Sequence, residues 1–293
     1  MSHATGLFRT KEAVLFGILV FLILLGGFLA VSYGSWSIEK QDVVQILLAK
    51  SGLYDGPIDR VESTIVWDGR MPRLVAAFLV GFSLAAAGAI MQGVFKNPMA
   101  SPGVIGISSG AALGAVIALY LGLAARSLFL LPLSSILFAL ITLALVFIIA
   151  TSRGHTSIST LLLAGIALNL IFGALTSFVI TLSTREFDVG RVIVTWLMGD
   201  LNNRSWEHVQ IVLPTTFLGL AATLFFVKDL NILMIGEETA TNLGVNIRLA
   251  RNMLLLASSV MTGGAIAVSG VIGFVGLLAP HMVRGLIGPD NRK

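Results

Sequence analysis

The sequence predicts an all-α, polytopic membrane helix bundle. Apolar residues make up 56% of its 293 positions, charged residues only 12%, and the mean hydropathy is +0.94, whereas a soluble domain carries about 25% charge. Apolar stretches close to the roughly 20 residues that cross a bilayer as a helix recur along the chain. Glycines and prolines also recur at one constant offset, which indicates an internally duplicated membrane protein.

Apolar segments of spanning length follow one another along the chain. The first six cover residues 13–33, 74–95, 103–123, 128–150, 161–182 and 209–227. A seventh covers residues 253–279 and is interrupted by glycines, so we predict a span followed by a broken or re-entrant piece. The first segment is longer than the apolar core of a signal peptide, and we predict that it is retained as a span.

The recurring glycines and prolines indicate two copies of one unit. Gly81, Gly88, Pro98, Gly103 and Gly106 return as Gly263, Gly270, Pro280, Gly285 and Gly288. We therefore predict one transmembrane domain over residues 1–293 with two inverted repeats, the first over about 70–182 and the second from about 250. Since little sequence follows the second copy of the proline, we expect that repeat to be incomplete at 293. Either the protein lacks the last spans or the given chain omits the end of a longer one, and we favour the second.

Several functions are excluded or disfavoured by composition. The chain has no cysteine, which excludes disulfides, thiolate metal sites and cysteine nucleophiles. The net charge of +4 comes from basic residues scattered over loops, so no nucleic-acid partner is predicted. No G-x-x-x-x-G-K-[ST] phosphate loop is present, so the chain is not expected to hold ATP itself. Positive charge is too evenly distributed to orient the spans.

Six segments resemble those of a known family. They read RMPRLVAAFLVG, GAIMQGVFKNPMASPGVIGISSGA, LLLAGIALN, WLMGDLNNRSWEHV, IGEETATNLGV and GVIGFVGLLAPHMVRGLIGPDNR. They look like the FecCD-type permeases, the membrane subunits of ABC importers for iron-siderophore complexes, haem and vitamin B12. The resemblance covers nearly the whole chain from about residue 70 and implies a ten-span fold, of which about eight spans are expected here.

The resemblance implies a permease subunit of a binding-protein-dependent ABC importer in the prokaryotic plasma (inner) membrane. It implies a homodimer, two cytoplasmic ATPase subunits that hold ATP and Mg, and an extracytoplasmic substrate-binding protein. The chain itself is then no enzyme, and no cofactor or metal is expected on it. The expected cargo is a ferric siderophore first, followed by haem, cobalamin and an oxyanion such as molybdate, in the order of how common each is in the family.

The resemblance places the contact with the ATPase subunits on one short polar loop. Its residues are Gly236, Glu237, Glu238, Thr239, Ala240, Leu243 and Gly244. The residues agree with this role, because two glycines bracket the loop, two acidic residues suit a helix N-terminus, and the leucine is a ready apolar knob. Without its context the same segment would be an ordinary solvated linker.

Arg70 and Arg73 lie where the second span begins. Arginines at a membrane boundary commonly extend their charged ends to the interface and have no further role. The resemblance implies that both face acidic residues on the substrate-binding protein. Charge pairing of this kind would speed docking and set its register.

Asn97 and Met99 belong to a proline-rich break between the second and third spans. The asparagine could simply cap the next helix, whereas the resemblance places both residues near the cytoplasmic mouth of the translocation path.

Further path candidates lie around the fifth span. Ser157 and Ser159, with His155, precede it and would sit at the same mouth, although their hydroxyls equally suit bonds to a helix N-terminus. Asn169 lies within that span and either bonds a neighbouring helix or lines the path.

Two other classes of protein stay open. Ser108 lies in a G-x-S-x-G pattern, and with His281 it could form an intramembrane serine hydrolase. Small-residue patterns of this length are, however, common in membrane helices for packing reasons. The second alternative is a secondary carrier or channel that works without ATP. The predicted spans lack Asp, Glu and Lys, which weighs against ion coupling.

Overall fold

The computed structural model describes residues 2–152, 155–183, 187–288 and 290, with side chains from residue 13 onward except at 152, 155 and 187. Within these ranges the regular secondary structure is helical apart from one antiparallel pair of two-residue strands, β1 Thr151–Ser152 and β2 His155–Thr156. This confirms the predicted all-α membrane bundle. The helices are α1 Ser2–Ser32, α2 Lys40–Lys50, α3 Arg60–Thr64, α4 Met71–Phe95, α5 Ile107–Tyr120, α6 Leu123–Arg126, α7 Leu130–Ala150, α8 Ile158–Ser183, α9 Phe187–Leu197, α10 Trp206–Ile235, α11 Glu237–Asn242, α12 Ile247–Ser269 and α13 Val275–Ile287.

Six helices of the described chain are long and apolar enough to cross a membrane. They cover Ala13–Ser32, Arg60–Phe95, Leu130–Ala150, Ile158–Ser183, Trp206–Ile235 and Ile247–Ser269. The second of them joins α3 and α4 through a π-helical turn at Ile65–Arg70. The predicted span at 103–123 is the shorter α5, because Gly106 has a φ of +79° and the helix begins only after it.

The predicted break in the segment 253–279 is confirmed. Helix α12 ends at Ser269, and α13 begins at Val275. Between them, Gly270 has a φ of +68° and Phe274 a φ of +66°. Two left-handed residues this close cannot continue a right-handed helix, so the apolar segment divides into a span and a short helix.

The chain forms two compact units. The first contains Met1–Ala76 and Asn202–Trp206. Its apolar core comprises Val31, Ile38, Val43, Ile46 and Val66. The indoles of Trp67 and Trp206 lie with ring centroids 5.4 Å apart, and Trp206 Nε1 donates a 3.0 Å hydrogen bond to the carbonyl oxygen of Trp67. This bond fixes the start of α10 in the first unit.

The second unit contains Ala77–Leu201 and Glu207–Lys293 and is built around α5. Helix α5 packs against α7, α8, α9 and α12. Small residues permit the close approach: a Cβ added to Gly114 would lie 2.7 Å from Phe138 Cβ, and one added to Gly165 would lie 2.6 Å from Ile105 Cα. Close packing through glycine is the usual way in which helices associate in lipid.

The glycine and proline recurrence is not matched by the local backbone. Gly88 lies in the middle of α4, where a Cβ would overlap the carbonyl of Gly276, whereas its counterpart Gly270 ends α12. Pro98 lies in the loop after α4, whereas its counterpart Pro280 lies inside α13. Glycine thus permits close helix packing in the first copy and ends a helix in the second. The repeat boundaries at about 70–182 and 250 stay predictions.

Candidate functional site

The polar loop predicted to contact a partner is a short helix between two long ones. Helix α11 begins after Gly236 with Glu237 and Glu238 in its first turn, where acidic side chains favour the helix dipole. Gly244 has a φ of +80°, and the Val245 amide donates a 3.0 Å hydrogen bond to the carbonyl of Ala240. The loop is therefore a defined helical projection.

One side of α11 is anchored and the other is free. Ala240 is fully buried with Leu233 of α10 and Ala250 of α12. Leu243, directly after the last turn of α11, is 63% exposed. Leu243 is thus an exposed apolar side chain next to a short polar helix whose other side is anchored.

A buried arginine holds the first residue of α11. Arg251 of α12 is only 6% exposed and pairs through Nη2 with the Glu237 carboxylate. Its Nη1 donates a 3.0 Å hydrogen bond to the carbonyl oxygen of Thr156 in β2. No local sequence pattern distinguishes Arg251, because its partners lie in other elements of the chain.

The two arginines predicted to dock the binding protein, Arg70 and Arg73, differ in their hydrogen bonds. Arg70 Nη1 donates to the carbonyl oxygens of Val31 at 2.7 Å and Ser32 at 3.0 Å, and Nη2 donates to that of Trp36. Its guanidinium thus binds the C-terminal carbonyls of α1, which a helix leaves without partners. Arg73 is exposed and makes no hydrogen bond within the described residues.

Asn97 and Met99 lie in the loop between α4 and α5, as predicted. The Asn97 Oδ1 accepts a 2.9 Å hydrogen bond from the Met99 amide, which is a local turn rather than a cap on α5. The Met99 side chain is exposed. Asn97 thus holds the backbone of this loop, and the Met99 side chain remains exposed and available to line a path.

The predicted path residues at the start of α8 have different roles: one caps the helix and another is exposed. Ser157 Oγ accepts a 3.4 Å hydrogen bond from the Thr160 amide and so caps α8, which is the simpler of the two predicted alternatives. Ser159 is exposed on the first turn. The side chain of His155 lies outside the described residues.

Asn169 bonds a neighbouring helix. Its Oδ1 accepts a hydrogen bond from Ser109 Oγ of α5, and the asparagine is only partly buried. The structure therefore brings together α5 and α8 through this pair.

The hydrolase arrangement receives no support from the geometry. Ser108 is the second residue of α5 and His281 is an exposed residue of α13, and no hydrogen bond joins them in the part of the chain that the structure describes. A nucleophile and its base must lie within hydrogen-bond reach. Among the described residues no group of three or more His, Asp or Glu side chains could hold a metal ion.

A second polar cluster, which is not among the predicted site residues, joins α13 to α4. Arg284 of α13 donates to Gln92 Oε1 at 3.0 Å and to the Ala89 carbonyl at 2.9 Å, while Gln92 Nε2 donates to the Leu277 carbonyl at 2.9 Å. These bonds tie α13 to α4. A glutamine inside an apolar span was the available signal, because a buried amide needs partners.

These long apolar helices, their glycine-mediated packing and the projecting α11 define a multi-pass membrane protein. Residues 20–293 match the model of the FecCD transport family. The chain belongs to the FecCD transport family, whose homologues place it in the inner membrane.

Similar proteins are named as permease proteins of import or transport systems. The cobalamin import system permease protein of Halobacterium salinarum is 43% identical over 80% of this chain and 62% of its own length. The hemin transport system permease protein of Yersinia pestis is 42% identical over 76% of this chain and 67% of its own. The chain thus spans less than two thirds of the first relative.

A solved structure has the same fold. It is described as an inward-facing conformation of a metal-chelate type ABC transporter, and it matches with a TM-score of 0.82 and 32% identity. The match covers 95% of this chain and 83% of that one.

Proposed function

We propose that this chain is the permease subunit of a binding-protein-dependent ABC importer that moves a metal chelate into the cytoplasm. The observation that carries the proposal is α11, a short polar helix anchored by Ala240 and ending beside the exposed Leu243. A movement of a bound ATPase subunit would pass through such a helix into α10 and α12, since both contribute to its anchor. Family membership supports this role.

The proposed assembly contains a second copy of this chain, two cytoplasmic ATPase subunits and an extracytoplasmic binding protein. ATP and Mg belong to the ATPase subunits. Arg73 is the arginine available for the binding protein, because Arg70 is occupied by the end of α1. Met99, Ser159 and the region of Asn169 are the proposed path residues, and Asn97 and Ser157 hold the backbone beside them.

The proposed cargo is a ferric siderophore, ahead of haem and cobalamin. Relatives of similar sequence are named for cobalamin, hemin and molybdate transport, which is consistent with one family serving different cargoes. The spans of the described chain that surround α5 present mainly small and apolar side chains. A path of this kind would let a bulky chelate pass without gripping it, and selection would rest on the binding protein.

Uptake into membrane vesicles tests the proposal. Vesicles containing the full-length chain, its ATPase subunits and its binding protein should accumulate one of three probes only when ATP is supplied. The probes are an iron-55 hydroxamate siderophore, haem and cobalt-57 cobalamin. Uptake that persists in vesicles without an ATPase subunit would contradict the proposal and favour a secondary carrier.

Two matched variants locate the coupling. Leu243→Asp should abolish ATP-dependent uptake, because a charge replaces the exposed apolar side chain of the contact. Leu53→Asp is the control, since Leu53 is 76% exposed in the loop between α2 and α3. Equal loss in both variants would show that the exposed leucine beside α11 has no special role.

A further inference from the structure

Arg251 is a buried charge whose bonds reach two other elements. Its guanidinium lies in α12, pairs with Glu237 of α11 and donates to the carbonyl of Thr156. A buried charge is tolerated only where it is paired and hydrogen-bonded. Arg251 is 6% exposed and the Glu237 side chain is 45% exposed, so the two bonds hold the guanidinium between α11 and β2.

The two partners of Arg251 lie at or just before the start of a helix. Glu237 is the first residue of α11, the helix proposed to bear on the ATPase. Thr156 is the last residue of β2 and directly precedes Ser157, which caps α8. The arginine thus joins the start of the projecting helix to the start of a membrane span.

Hydrogen bonds hold both β2, which contains the Thr156 that Arg251 contacts, and the start of α8, which follows it along the chain. Thr151 and Thr156 are paired across the two strands, their hydroxyl oxygens lie 2.8 Å apart, and the Leu161 amide donates a 2.9 Å bond to the carbonyl of Ser157. Farther along α8, Gly165 lies against Ile105. A displacement of β2 would therefore move α8 before it was absorbed by a flexible loop.

The chemistry of arginine suits a link between two acceptors. Its planar guanidinium presents donors in several fixed directions, so one side chain can bind a carboxylate and a carbonyl from different elements. A lysine ammonium carries a compact charge on a flexible stem and would keep the ion pair with Glu237 more readily than the fixed geometry toward Thr156.

We propose that Arg251 is a positioning residue that makes α11 and the start of α8 move together, so that an ATP-driven movement at α11 reaches the translocation path. The inference rests on the proposed function and deepens it. Without the arginine, α11 would still present Leu243 to the ATPase, because Ala240 holds it independently. The movement would then fail to reach α8.

The 293 residues contain no cysteine, so a cysteine introduced among them can be labelled selectively. Leu163→Cys places one spin label on α8, where Leu163 is 67% exposed, and a double electron–electron resonance measurement then reports the distance between the two copies in the complex. The distance is compared without nucleotide and after trapping with ATP and vanadate. Each variant is also assayed for retained ATPase subunit and for ATP hydrolysis.

Three variants are compared in this background. In Arg251→Met we expect the ATPase subunit and its hydrolysis to be retained, while the fraction of molecules that switch distance falls about tenfold, a usual size for lost coupling. Arg251→Lys should retain the complex and switch partially. Arg126→Met should behave as the parent chain, because Arg126 is exposed and makes no hydrogen bond in the described chain.

Each outcome decides the matter. Normal switching in Arg251→Met would overturn the inference while leaving the proposed function intact. Loss of the ATPase subunit in both Arg251→Met and Arg251→Lys would also overturn it, because the arginine would then serve only to fold or dock α11. A parent chain that recovers no ATPase subunit would instead contradict the proposed function.

Discussion

Replacing Arg70 with alanine should destabilise the first compact unit. The substitution removes three hydrogen bonds to the carbonyls of Val31, Ser32 and Trp36. Bonds from a charged donor contribute about 1.5–3 kcal/mol each, and partial exposure reduces that by roughly half. We therefore expect the free energy of unfolding to fall by about 2–4 kcal/mol.

The matched control is Arg73→Ala, which removes an exposed arginine that makes no hydrogen bond within the described residues. We expect it to change stability by less than about 0.5 kcal/mol. Thermal unfolding in mild detergent, followed by tryptophan fluorescence, measures both variants. Gly34→Ala should resemble Arg70→Ala, because a Cβ there would lie 2.7 Å from Arg70 Nη2. Equal stability of the two arginine variants would refute a structural role for Arg70.

Three further substitutions probe the second unit. Gln92→Leu should lower the free energy of unfolding by about 1–3 kcal/mol, because it removes a hydrogen-bond acceptor from Arg284. The midpoint of thermal unfolding measures this loss, and an unchanged midpoint would contradict the contact. Gly270→Ala should lower the free energy of unfolding by at least about 1–3 kcal/mol, since φ is +68° and ψ is −163° there, a region that glycine alone readily adopts. An added Cβ would also overlap the carbonyl oxygen of Trp196, and an unchanged thermal midpoint would show that the turn tolerates a Cβ. Asn169→Leu removes the hydrogen bond from Ser109 and should lower the free energy of unfolding by only about 0.6 kcal/mol. A loss of ATP-dependent uptake much larger than this loss of stability would place Asn169 on the path. A loss of uptake in proportion to the loss of stability would show that Asn169 has a structural role.

Local patterns in the sequence were sufficient to predict much of the helical framework. Apolar length identified the spans because a helix must satisfy its own backbone in lipid. Glycines within 253–279 indicated a break, and Gly270 indeed ends α12. The bracketing glycines and paired glutamates at 236–244 indicated a polar loop with residues suited to a helix N-terminus, and α11 begins there. Each of these features depends on neighbours in the chain.

The contacts that distinguish candidate residues from one another depend on distant parts of the chain. Arg284 and Gln92 are 192 positions apart, and Arg251 is 95 positions from Thr156. Arg70 and Arg73 look alike in sequence, yet only Arg70 meets the end of α1. Hydrogen-bond partners separated in this way follow from tertiary packing, which no local periodicity encodes.

ATP hydrolysis by the purified assembly tests the proposed permease role most directly. The full-length chain is affinity-purified in mild detergent, with and without joint substitution of Glu237, Glu238 and Leu243 on and beside α11. We expect an ATPase subunit to copurify in equal amount with the parent chain, to hydrolyse ATP, and to be lost from the substituted chain. A parent chain that is recovered alone and hydrolyses nothing would contradict the proposed function.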